Sequence, residues 1–187
     1  MSPILVRPVR EQLEHDRIIR LLQAKLKRKY EVTANVGEEQ GAGVRIGAGQ
    51  MFPDLVLTSP SKGRRLEGIV EVETAESVNH LEAMAQWAHF GRARAPFHLY
   101  VPAVAVDIAR RLCTENDVDV TEIWSYHTIA DQTRFTLVHR DSGPRAAKGN
   151  GSRAARPEPR RKPASEPRKT KTSKTTKAKK SAARARR

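Results

Sequence analysis

In the stretch "IVEVETAES", residues 69–77, two glutamates stand at alternate positions of an apolar run. Residues two apart on a strand share a face. Glu71 and Glu73 are therefore expected side by side, with Val70 and Val72 turned the other way. At roughly 7 Å and an effective dielectric near 20, two such charges repel by about 2 kcal/mol. Asp54 adds a third acid, after Pro53 at the start of "PDLVL", and the turn "SPSKGRR" leads from that strand to the next. Two strands joined this way can bring Asp54, Glu71 and Glu73 into one small space. On a solvated edge such a pair would mean nothing, but Ile69, Val70 and Val72 mark an interior strand, where unpaired acids are costly. A hard divalent cation, Mg²⁺ or Mn²⁺, is the partner that makes such a cluster favourable.

Other chemistries find little footing. The Gly-rich loop "GAGVRIGAG" lacks the GK[ST] ending of a phosphate loop and the spacing of a dinucleotide fingerprint. It runs into a strand and offers no helix N-terminus, so it reads as a mobile hairpin loop beside a site, with Arg45 as a phosphate contact. Of the six histidines none are three or four residues apart, which excludes a helical metal pair. His98, within a strand, reads as structural. No G-x-S-x-G element occurs, and the single thiol, Cys113, falls in a predicted helix. One cysteine also rules out an internal disulfide and a cysteine-built zinc cage.

The acids need a scaffold, and the sequence outlines one. Leu13, Ile18, Leu21, Leu22 and Leu26 recur at helical spacing over residues 9 to about 30, and Pro8 marks the helix entrance. Strands are expected at "YEVTANV", "PDLVLT", "LEGIVEVET", "PFHLYVP", "DVTEIWSY" and "TRFTLVH". Thr74 is the expected N-cap of a helix reaching about residue 90, with Val78, Leu81, Ala85 and Ala88 on its inward stripe. A further helix is expected over residues 105–115. This pattern is α/β, with a central mixed sheet flanked by helices rather than a continuous βαβ series.

The charge of +14 is concentrated at one end. Residues 145–187 carry 17 Lys and Arg against two acids, whereas residues 1–144 carry 18 basic and 19 acidic residues. The C-terminal stretch contains no Val, Ile, Leu, Met, Phe, Trp, Tyr or Cys, so nothing there offsets the entropy of folding. The expected organisation is a folded domain over residues 1–142 and a disordered basic tail over 143–187. Neither a bilayer-spanning apolar run nor a signal-peptide pattern occurs, which suggests a cytoplasmic protein.

"PDLVL" followed by "IVEVET" resembles the PD-(D/E)XK nuclease superfamily, which has the restriction-endonuclease-like fold. The likeness covers about residues 9–126. It implies that Asp54 and Glu71 hold one or two Mg²⁺ or Mn²⁺ ions, with a glutamate of the first helix nearby. Glu14 is the first choice for that glutamate and Glu11 the second. The family's third motif position is usually Lys and here is Glu73, which implies that Glu73 serves either as the general base for the attacking water or as a metal ligand, or else marks a site that only binds. Gln86 and Phe90 in "QWAHF" are faintly similar to the Gln-x-x-x-Tyr element of recombination-type exonucleases; Gln50 is a second accessory position.

The reaction so implied is hydrolysis of DNA phosphodiesters, with Asp54, Glu71, Glu73 and Glu14 as the catalytic set. The tail would hold the protein on DNA by counterion release, through residues such as Arg160, Arg161, Lys162, Lys169, Lys171, Lys179 and Lys180. Arg45, Lys62, Arg64 and Arg65 are the expected contacts from the folded part, giving a nucleoid-associated protein, with a homodimer left open. Two alternatives share the fold: a non-catalytic DNA-binding protein, and a scaffold whose segment "QWAHFGRARAPFHLY" meets a protein partner.

Overall fold

A computed structural model describes residues 8–37, 40–61 and 63–141. The chain divides into two units, Met1–Gly151 and Ser152–Arg187, and all described residues belong to the first. Lys62 and the tail cations from Arg160 to Lys180 lie outside them.

Helix α1 (Val9–Leu26) opens after Pro8, whose carbonyl accepts the Gln12 N–H at 2.9 Å. A proline loses nothing there, because the first N–H groups of a helix have no internal partner. His15, Ile18, Ile19 and Leu22 form its buried stripe. The helix stops one turn short of the expected end, and the Lys29 and Tyr30 N–H groups both close onto the Leu26 carbonyl. The strands are β1 (Glu31–Ala34), β2 (Val44–Ile46), β3 (Gly49–Met51), β4 (Leu55–Thr58), β5 (Leu66–Val72), β6 (Phe97–Pro102), β7 (Glu122–Ile129) and β8 (Gln132–Arg140).

Six strands form one mixed sheet in the order β1-β4-β5-β6-β7-β8, while β2 and β3 pair as a separate hairpin. The two central pairings, β5 with β6 and β6 with β7, are parallel; the outer ones are antiparallel. The sheet is buried on both faces, and β5 shows this in its alternation. Val70 and Val72 join Ile18, Ile19, Leu22, Leu55, Leu57 and Tyr100 beneath α1. Ile69 joins Trp87, Phe90, Phe97, Leu99 and Leu112 on the opposite face. Each large apolar side chain buried this way contributes about 1.5–3 kcal/mol.

The opposite face is covered by residues 80–90 and by α4 (Val106–Glu115). The first of these departs from expectation in start and in phase. Its N-cap is Asn79, whose Oδ1 accepts the Glu82 N–H at 3.1 Å, and not Thr74. Thr74 is instead occupied in a tight turn with Ser77. Between α2 (His80–Glu82) and α3 (Ala88–Phe90) the chain takes a π-helical turn, Ala83–Trp87. The wider turn rotates the inward stripe, so Ala83, Trp87 and Phe90 are buried whereas Leu81 and Ala85 face solvent. No helix among the described residues is long and apolar enough to cross a membrane.

Candidate acidic site

The antiparallel register of β4 and β5 pairs Leu55 with Val70, which sets Asp54 opposite Glu71. Asn35 fixes the approach to Asp54. Its backbone N–H donates to the Asp54 carbonyl at 2.9 Å, and its amide donates to the carbonyls of Pro53 at 2.6 Å and Ala42 at 2.8 Å. One side chain thus ties the Gly-rich segment to the strand that begins at Asp54.

Asp54 Oδ2 accepts the Val72 N–H at 2.7 Å and lies 3.2 Å from Nε2 of His15. The other ring nitrogen of His15 lies 3.5 Å from Asp16 Oδ1. Glu71, itself buried, hydrogen-bonds to the Asp54 carboxylate. Burial alone would raise the Asp54 pKa. The His15 charge and hydrogen bond, the Glu71 hydrogen bond and the Val72 N–H outweigh it and hold the carboxyl below its ordinary value. The hydrogen bond between the two carboxyls and the donors around Asp54 offset the repulsion expected of the acidic cluster.

Glu73 has side-chain partners of its own. It follows the end of β5 and is 1% exposed. Its Oε1 accepts the Trp87 indole N–H at 2.7 Å, and its Oε2 accepts the Ser77 hydroxyl. Its backbone carbonyl accepts the Tyr126 hydroxyl at 2.8 Å, and its N–H donates to the Tyr100 carbonyl at 2.8 Å. A buried carboxylate needs such donors, and two of them come from the segment that crosses over to β6. Glu73 ties that segment to the sheet, and the role of water activator expected for it finds no support in this geometry.

The helix glutamate is also reassigned. Glu14 is exposed, whereas Glu11 accepts the Thr74 hydroxyl at 2.6 Å. Glu11, His15, Ile18 and Leu22 share one helical face, and Glu14 lies off it. That periodicity is the sequence signal that marks His15; its spacing from the other histidines carries none. Thr74 and Ser77, which close the turn after the motif strand, have no signal of their own.

The remaining expected residues are scattered. Arg45 and Gln50 face each other across the β2–β3 hairpin and are exposed. Gln86 is half-buried in the π-helical turn. Arg64 is ion-paired to Glu31 at 3.1 Å and Arg65 to Glu67 at 2.7 Å, so both already have acidic partners. Burial pushes the Cys113 thiol up to about 12, which leaves it inert as a nucleophile. His98 is structural as expected, with Nδ1 lying 3.0 Å from Glu122.

Among the described residues no group of three or more His, Cys, Asp or Glu side chains could hold a metal ion. Asp54 and Glu71 are the two carboxyls that the β4–β5 register brings together, one short of such a group. In comparisons with family models, with curated proteins and with solved structures, nothing matches this chain.

Proposed function

We propose that the folded unit is a metal-dependent DNA nuclease with a restriction-endonuclease-like arrangement, built on Asp54 and Glu71. One observation carries this reading: the β4–β5 register sets two carboxyls against each other beside a partly apolar helix face, where burial is costly without a purpose. Asp54 and Glu71 would hold Mg²⁺ or Mn²⁺. The bound ion would lower the pKa of a water and neutralise charge on the phosphate under attack. His15 and the Val72 N–H fix the Asp54 carboxylate, and Glu11 with Thr74 steadies the turn that follows Glu71.

A non-catalytic DNA-binding protein is the second reading, and Glu73 favours it. Trp87 and Ser77 hydrogen-bond the side chain that stands where the family has its lysine, so that position lacks the lysine's positive charge. The test is cleavage of branched, single-stranded and duplex DNA by the full-length protein with Mg²⁺ or Mn²⁺. Cutting that Asp54→Asn and Glu71→Gln abolish, at unchanged DNA affinity, is the expected result. A wild-type protein that cuts nothing and shows no cation-dependent rise in melting temperature overturns the nuclease reading; binding without cutting then leaves the second.

A further inference from the structure

The folded unit is close to neutral, yet its charge is unevenly placed. Residues 17–29, "RIIRLLQAKLKRK", hold six of the 18 basic residues in positions 1–144 and no acid. Arg17, Arg20, Lys25, Lys27, Arg28 and Lys29 are all exposed. Elsewhere Arg64, Arg65, Arg111 and Arg140 are each ion-paired to a glutamate. None of the six pairs with a carboxylate of a described residue; Arg17 donates only to the backbone carbonyl of Asp131, at 3.1 Å. The nearest acids are otherwise engaged, since Glu122 is held by His98 and Arg140 and Glu67 by Arg65.

Aromatic rings position two of these cations. The Lys25 ammonium lies 5.0 Å from the Phe135 ring centre and 5.7 Å from that of Trp124, and the Lys29 ammonium lies 4.9 Å from the Tyr30 ring. Rings beneath an ammonium fix its place without neutralising it. The row begins at Arg17, on the exposed side of α1 and away from the buried His15, and α1 runs on to Leu26. At about 1.5 Å per residue this part of the helix is ~14 Å long. DNA carries one phosphate per ~3.4 Å of axis on each strand, so the row faces about four phosphates.

We infer that the outward face of the second half of α1, with residues 27–29, is a binding surface for the phosphodiester backbone of duplex DNA. The occupant follows from charge complementarity: a patch of exposed cations without an ion-paired carboxylate matches a run of phosphates, and the acids of α1, Glu11, Glu14 and Asp16, all precede it. Lys29 feels acids from a distance: the Tyr30 hydrogen bond first, and then the charges of Glu122 and Glu67, raise its pKa. This inference rests on DNA being the partner, and not on cleavage.

The test is anisotropy titration of full-length protein with a 30-base-pair duplex in EDTA, across a salt series. Arg20→Gln/Lys27→Gln/Arg28→Gln is compared with Arg92→Gln/Arg94→Gln/Arg110→Gln, which removes the same charge from exposed positions elsewhere. The C-terminal cations are present in both, so their contribution cancels. Each phosphate that is no longer neutralised takes about 0.9 off the salt slope. The α1 variant should therefore fall by roughly 2–3 and bind more than tenfold more weakly near 0.15 M salt, while the second variant stays within about twofold of wild type. Melting temperatures of both should match wild type, since all six substitutions are on the surface. Equal weakening by the two variants, or none by the α1 variant, overturns the inference whether or not the protein cuts DNA.

Discussion

At the scale of single residues, Glu73 shows how far chemistry-bearing residue types can mislead. Its spacing from Glu71 suggests a shared face and a shared ion. What spacing cannot reveal is that β5 ends at Val72, and that Trp87 and Ser77 close over the carboxylate beyond it. Glu73→Ala should therefore act on stability, leaving two buried donors without their acceptor at a cost of about 3 kcal/mol. Trp87→Phe removes one of those donors and some ring volume, with an expected cost of about 2–3 kcal/mol. Thermal melts should show both losses, with the DNA affinity of the folded fraction unchanged. If Glu73→Gln abolished cleavage while leaving the melt untouched, the assignment of Glu73 as a structural tie would be wrong. Asp54 and Glu71 are legible in the sequence because strand register depends only on the turn between them and on alternation. Their partner His15 requires knowing which face of α1 meets the sheet.

At the scale of elements, the strands are legible because short apolar runs bounded by turn residues specify them, and β4 to β8 lie close to where those runs lie. The segment 80–90 is not, because a π-helical turn changes the phase of the inward stripe and has no sequence signature of its own. Its exit is set by a close approach: a Cβ on Gly91 would lie 2.8 Å from the Asp119 backbone nitrogen. Gly91→Ala should cost about 1–3 kcal/mol through that backbone clash alone, which a denaturant melt would register. Neighbouring strands are joined by a polar cross-link of similar weight. Glu122 on β7 meets His98 on β6 and Arg140 on β8, and its pKa is lowered to about 2, first by the His98 hydrogen bond, against desolvation, and then by Trp124 and Arg140. A depressed carboxylate contributes stability above its unfolded pKa and loses it as pH falls through the folded one. The domain should accordingly weaken as pH drops from about 4.5 toward 2. Glu122→Gln should lower stability at neutral pH and flatten that acid limb; an acid limb of unchanged slope in melts between pH 2 and 5 would remove Glu122 as its source.

At the scale of the whole chain, the separation of charge is the largest feature of the sequence. The 17 Lys and Arg of residues 145–187 exceed anything the near-neutral remainder can offer on net charge. Yet that remainder has its own cationic row on α1, so the two should contribute differently to DNA binding. The 17 cations of residues 145–187 outnumber the α1 row and should supply most of the affinity. A row on a helix holds its charges in one geometry, and so fixes the orientation of the strand it binds. Removing residues 145–187 should therefore lower affinity steeply and flatten the dependence of log K on log salt, by about 0.9 for each phosphate the tail had neutralised. A residual slope should survive in the truncated chain, and Arg20→Gln/Lys27→Gln/Arg28→Gln should abolish most of it. Salt titrations of the four proteins, with and without the tail and with and without the α1 substitutions, separate the two contributions. A truncated chain with the full-length slope would mean that the tail does not bind DNA. One with no slope at all would mean that the α1 row does not.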